Sequence, residues 1–324
     1  MHGGGHDPPL HDTRRAPVSD TDLPIVDAHH HFWDLGMRRH PWLAPDVMIP
    51  FRYGDYSSIK RDFMPADYRA ITGPHNVVAT VTMEGEWDED LLYEESGWMT
   101  EVAEKHGGPA AHVARAYLHR PDAEELLAGH ASYPIVRGIR HKPAAAPSAE
   151  KIVRGAPGGM TDPVWRRGYS HLKPNGLHFE LQAPWWHVDE LLDLISAFPD
   201  TPVVINHMFM PVDRSPEGLS GWRGAMKRAA SAPQTTLKLS GMGIKGKPWA
   251  IEDHRGIIRD AIEIFGVDRC MFASNFPVDG VCGSFETIFN GYKQATADLS
   301  SADRLKLFHD NAIRVYRLDI KPHA

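Results

Sequence analysis

The sequence predicts an α/β fold, a single (β/α)8 barrel with a closing C-terminal helix. Three observations predict it. Eight short apolar runs alternate with longer amphipathic ones over about 300 residues, the count expected of a closed βα barrel. The apolar runs are rich in Val, Ile and Thr without strict alternation, as parallel strands covered on both faces require. An open, doubly wound sheet would normally show a glycine-rich turn after its first strand, and here that turn holds His29, His30, His31, Phe32 and Trp33.

In chain order, the expected strands are residues 25–29, 77–83, 111–118, 135–141, 177–182, 203–206, 236–240 and 270–273. Helical patterns fill residues 91–105, 123–130, 188–198, 218–231 and 257–265. Leu191, Leu192, Ile195 and Phe198 make one buried helical stripe. Residues 302–318 read as the closing helix. Residues 34–68 are rich in Pro, Arg, Tyr and Trp and weakly periodic. They form an elaborated first βα loop over the barrel mouth, because loops of that length are usually functional or disordered. Trp165 and the Trp185–Trp186 pair fall at loop positions, where they wall a substrate pocket or simply pack.

The chain has 324 residues, 35 Lys and Arg against 42 Asp and Glu, and a net charge of −7. With no basic run beyond Arg14-Arg15 and Arg38-Arg39, a nucleic-acid partner is not expected. Two cysteines, Cys270 and Cys282, make no disulfide framework and no thiolate zinc site, and reduced thiols suit a cytoplasmic protein. No apolar run reaches ~18–20 residues, so no membrane span is expected. Residues 1–22 lack an apolar secretory core and read as a disordered tail, leaving residues 23–324 for the barrel.

The strongest chemical signal is Asp27, His29, His30 and His31. Strand alternation puts Asp27, His29 and His31 on one side and His30 on the other. At the C-terminal end of a first barrel strand, this aims two imidazoles at the mouth, where barrel active sites lie. Neutral imidazoles hold a divalent cation or polarise a carbonyl. Glu84, at the end of the second strand, is an inward acid able to fix a histidine tautomer, or a solvated loop acid like Glu86, Asp88, Glu89 and Asp90.

Residues 25–33 resemble the opening motif of the amidohydrolase superfamily. The nearest likeness is to the amidohydrolase-related barrel lactonases, which include sugar lactonases and pyrone-dicarboxylate lactonase. Other landmarks follow in the same order: Arg137 to His141, residues 177–182, Val204 to His207, Leu237 to Gly241, Met271 to Asp279 and Phe308 to Ala312. The likeness runs from about residue 24 to residue 318. It implies that His29 and His31 form the first-strand pair, His207 the sixth-strand histidine, and Arg140 with His141 the fourth-strand polar pair. Arg140 then clamps a carboxylate or a lactone oxygen through its planar fork, or serves as an ion-pair partner.

One departure bears on mechanism. Many relatives carry an Asp in the last-strand motif where this chain has Asn275, and that Asp is expected to activate the attacking water. An amide cannot take that proton. Asp279, four residues on, is the candidate replacement, with Asn275 orienting water or substrate; alternatively Asp279 caps the next helix. His29, His31 and His207 can hold one divalent metal, zinc first, or act without metal. His178 lies too deep to join them, and a two-metal centre is not expected.

The expected activity, implied by the resemblance, is hydrolysis of a lactone or related cyclic ester of a small organic acid. The rivals are a non-oxidative decarboxylase on the same barrel and a barrel that has lost hydrolysis and binds or tailors its ligand. The expected partner is a small-molecule substrate, and a homodimer is compatible with the sequence.

Overall fold

Hydrophobic patterning and parallel pairing together produce the barrel seen in the computed structural model, which describes residues 20–320. Eight strands occur: β1 (Ile25–His30), β2 (Val77–Met83), β3 (Ala111–Arg115), β4 (Val136–His141), β5 (His178–Leu181), β6 (Val203–Ile205), β7 (Thr235–Leu239) and β8 (Cys270–Phe272). They pair in parallel in that order. The seam between β1 and β8 is drawn together just beyond β8. There the His31 N–H donates to the Phe276 carbonyl and the Asn275 N–H to the His29 carbonyl, each at 2.7 Å.

Val26, Val81, Ala111, Val204 and Met271, from five strands, pack into one buried cluster with Ala312, Ile313 and Tyr316. Five strands can meet only in the barrel interior, so the last helix, α10 (Asn311–Tyr316), plugs its N-terminal end. Above the plug lies a buried ion pair absent from the sequence expectations. Lys238 Nζ is 2.8 Å from Glu180, and Tyr316 and His178 contact the same carboxylate at 2.7 and 3.2 Å. Burial pulls the Lys238 ammonium down to about 8, with Glu180 opposing it; Lys238 and His178 hold Glu180 at about 2 against burial. His178 is as deep as expected. Gly138 gives it room, because a Cβ there would lie 2.4 Å from its Nε2.

The five expected helices are present as α2 (Leu92–His106), α3 (Ala123–Ala131), α5 (Val188–Ala197), α6 (Pro216–Ala230) and α7 (Arg255–Phe265). Three more were not anticipated: α1 (Pro65–Ile71), α4 (Pro163–Ser170) and α8 (Phe285–Ala295). Local chemistry starts two of them, since Asp162 caps α4 and Ser284 caps α8. Asp279 therefore does not cap α8; it sits in a short turn before it. The closing helix expected over 302–318 is present as one continuous run over 301–316, composed of α9 (Ser301–Leu305), a wider π turn (Lys306–Asp310) and α10.

The first loop leaves and returns through a backbone pair, Trp33 with Phe63 (N···O 3.0 and 2.9 Å), so residues between them form a closed excursion over the mouth. The expected N-terminal tail falls, up to residue 19, outside the described residues. Asp20 is tethered, its carbonyl accepting from Lys293 Nζ at 2.5 Å and its carboxylate pairing with Arg304. No helix among the described residues is long and apolar enough to cross a membrane.

Candidate active site

His29 and His31 both reach the barrel mouth, but not by simple alternation from Asp27. The β1–β2 register is irregular between Asp27 and His30. That slip sends Asp27 outward, where it accepts hydrogen bonds from Tyr68 of α1 at 2.7 Å and from the Ser274 hydroxyl at 2.6 Å. His30 also faces outward, against Phe32 and Tyr68. A parity slip within a strand flips which face its side chains reach, and here it serves the site.

His207 comes from a turn with an unusual backbone. His207, Met208, Phe209 and Met210 all have positive φ, between 52° and 58°. Left-handed conformations cost L-residues roughly 1–2 kcal/mol each, and strain of this kind gathers at functional sites. The turn brings the His207 ring to 4.8 Å from that of His29, while His29 and His31 lie 5.2 Å apart. Gly241 makes the approach possible. Its φ is +64°, and a Cβ there would lie 2.4 Å from Nδ1 of His207 and 3.0 Å from Nη2 of Arg52.

Two of the three imidazoles are held by Nδ1, while Nδ1 of His29 has no hydrogen-bond partner among the described residues. His31 Nδ1 lies 3.0 and 3.2 Å from the carbonyls of Glu84 and Met83, and His207 Nδ1 lies 3.0 Å from the Ser240 hydroxyl. Carbonyls only accept, so His31 donates from Nδ1 and keeps the lone pair on Nε2, whereas the Ser240 hydroxyl can donate to or accept from Nδ1 of His207. Burial holds all three rings well below the ordinary histidine range. Arg140 reinforces this for all three, Arg52 for His207 and Lys238 for His29. The rings are therefore neutral at pH 7.

Arg140 is the central cation. Its Nε donates to the Glu84 carboxylate at 2.5 Å, Nη2 to the Glu84 carbonyl at 2.9 Å, and Nη1 to Nε2 of His29 at 3.3 Å. Burial works to raise Glu84, but Arg140 and Lys142 outweigh it and hold the carboxylate at about 2. Glu84 thus supports the site through two groups. Its carbonyl orients His31, and its carboxylate fixes Arg140.

Asp279 is brought to the site but not to the cavity wall. It is wholly buried, accepting from Asn275 Nδ2 at 2.6 Å and Tyr53 Oη at 2.8 Å, with Arg52 at 3.9 Å. Burial raises its pKa against those three partners. Asn275, with φ 55°, stands between Asp279 and the cavity. His141 is not brought in. Its Nδ1 accepts from Trp165 Nε1 at 2.9 Å, facing the outer helices, because alternation on β4 sends Arg140 inward and His141 out.

A cavity of 390 Å³ opens above these residues, of a size suited to a small organic ligand. Trp33, Trp42 and Phe51 of the first loop form its aromatic wall, and Arg52, Arg140 and Lys142 supply positive charge. Trp165 is buried in packing and Trp185 lies against Gly221 of α6, so neither lines the cavity. Tyr53 and the loop-one aromatics escaped notice as individuals, although the loop holding them was singled out.

The donor set does not fit a bound divalent metal in this arrangement. Nε2 of His29 already accepts a hydrogen bond from Nη1 of Arg140, which places a fixed positive charge beside the three rings. No group of three or more His, Cys, Asp or Glu among the described residues could hold an ion. The expected set of His29, His31 and His207 is thus assembled in space, but with a guanidinium where a cation would compete.

A histidine-lined mouth at the C-terminal end of a parallel eight-stranded barrel is where a barrel enzyme carries its active site. The chain belongs to the amidohydrolase family, whose model, described as Amidohydrolase, matches residues 26–318. It is 38% identical to the uncharacterized protein y4mH of Sinorhizobium fredii over 298 residues, 92% of this chain and all of that one. It is 26% identical to an L-fucono-1,5-lactonase of Burkholderia ambifaria, over 91% of this chain and 96% of the lactonase. Among solved structures, a Burkholderia multivorans amidohydrolase with bound zinc superposes with a TM-score of 0.72 at 21% identity. It covers 91% of this chain and 99% of its own. The chain is an enzyme of the amidohydrolase superfamily.

Proposed function

We propose that the enzyme hydrolyses a lactone or related cyclic ester of a small organic acid, without a metal step. The observation carrying this reading is the convergence of neutral imidazole edges and the Arg140 guanidinium on one aromatic-walled cavity. Similarity to a named lactonase supports the same reaction class, although one barrel serves many chemistries.

Water attacks the ester carbonyl carbon; the ring C–O bond breaks to give a hydroxy acid. Asn275 spends its amide N–H on Asp279, which leaves its carbonyl oxygen to accept from the attacking water. In the tautomer whose Nδ1 donates to the Ser240 hydroxyl, Nε2 of His207 takes the proton and returns it to the leaving alkoxide. Gly241 places these groups together, its backbone bonding Asp279 while its missing side chain admits His207. Arg140, with Arg52 and Lys142, stabilises the developing oxyanion. Asp279 acts as a positioning residue through Asn275.

The test is a lactone panel followed by indicator acidification, run beside aromatic acids followed for carbon dioxide release. Acid production from a lactone supports the proposal. Carbon dioxide release without any lactone turnover transfers the site to the decarboxylase reading.

A further inference from the structure

Behind Arg52 lies a second cavity of 220 Å³, and it shares Arg52 and Met210 with the first. Three cations line it, Arg52, Arg214 and Lys245, and no acid does among the described residues. In a chain of net charge −7, composition alone does not gather cations in this way.

The charges are also poorly compensated. Arg214 spends its N–H groups on carbonyls, those of Pro211 at 2.8 Å, Met242 at 3.1 Å and Asp253 at 3.2 Å. Carbonyls satisfy its hydrogen bonds without neutralising it. The nearby Asp253 carboxylate is taken by Lys247 at 2.6 Å. Arg52 reaches only to 3.9 Å from Asp279. Lys245 leans its stem over Gly54, its Cε 3.5 Å from where a Cβ would stand. A partly walled group of three cations whose one carboxylate partner, Asp279, stands 3.9 Å from Arg52 favours an anion, and a planar guanidinium suits carboxylate or phosphate oxygens.

We propose that this second cavity is an anion subsite, taking a carboxylate or phosphate arm of a substrate whose reacting carbonyl lies in the first. Arg52 stands between them and contacts both ends. The word substrate rests on the hydrolase reading above; anion binding by the cavity does not.

The test is equilibrium binding of inorganic phosphate and of a short dicarboxylate such as glutarate, at constant ionic strength, with acetate as control. Wild type and Lys245→Glu are compared, because Lys245 is exposed and lines only the second cavity. We expect saturable binding to wild type, weakened about tenfold or more by Lys245→Glu and restored by Lys245→Arg; the tighter anion identifies the arm. Binding unchanged by Lys245→Glu, or no saturable binding at all, overturns the proposal. Since no turnover is read, anion binding alongside inactivity on every lactone would remove the hydrolase reading and leave the subsite standing.

Discussion

Asn275 donates its amide Nδ2 proton to Oδ1 of Asp279 at 2.6 Å, so the amide at the end of β8 is fixed by a carboxylate the cavity does not reach. Tyr53, from the first loop, donates to the same oxygen at 2.8 Å. Two segments far apart in the chain thus agree on how one amide is turned.

Asp279→Ala is expected to lower kcat by about 10–100-fold, the scale of a supporting group, with little change in KM. Direct loss of the proton acceptor costs ~10²–10⁴-fold, and that larger loss is expected of His207→Asn. Steady-state kinetics on the two variants separates the roles.

Arg140→Met should remove activity and destabilise the fold together. It strands Glu84, at a cost of ~3–5 kcal/mol for breaking a buried pair. Glu84 is held at about 2 in the native state, below its ordinary 4.5. Its stabilising contribution is present above pH 4.5 and lost as pH falls toward 2. In the variant the largest opposing charge is gone and burial, now countered only by Lys142, Arg115 and His31, moves the carboxyl upward, so the stability gap to wild type should widen from pH 4 to pH 7. Urea unfolding at the two pH values measures this.

Lys238→Met is expected to destabilise by a similar ~3–5 kcal/mol, because Glu180 is left charged and buried among Tyr316, His178 and Asn206. Lys238→Met with Glu180→Gln should recover most of the loss. Thermal unfolding of the single and double variants makes the comparison.

Glu95 offers a pH test away from the chemistry. One carboxylate oxygen accepts from the Gly85 N–H at 2.6 Å, the other has no hydrogen-bond partner among the described residues, and burial with Glu84 nearby raises the pKa to about 8. The native state therefore keeps a proton that the unfolded state loses above 4.5. Stability should fall by up to about 1.4 kcal/mol per pH unit as pH rises from 4.5 to 8. Glu95→Gln should flatten that slope, as denaturation across the window will show.

The strands, five helices and the histidine cluster were legible because each is written locally, in apolar runs, periodic stripes and one dense motif. Lys238 was legible in principle, a lone cation inside an apolar strand, but its partner Glu180 lies on another strand. Tyr53 was not, since its contact with Asp279 spans 226 residues and leaves no local trace. The outward turn of Asp27 was hidden because alternation cannot register a slipped residue. His141 was misplaced although alternation along the strand carried the answer: as the neighbour of inward Arg140 it takes the outer face.

Turnover in ¹⁸O-labelled water, on a lactone the enzyme accepts and after exhaustive chelation, is the most direct measurement. We expect one labelled oxygen in the carboxylate of each product molecule, at a rate that chelation leaves unchanged and His207→Asn lowers by ~10²–10⁴-fold. Product free of label, or a rate that collapses on chelation and returns with zinc, would contradict water attack at a centre built from imidazoles and a guanidinium.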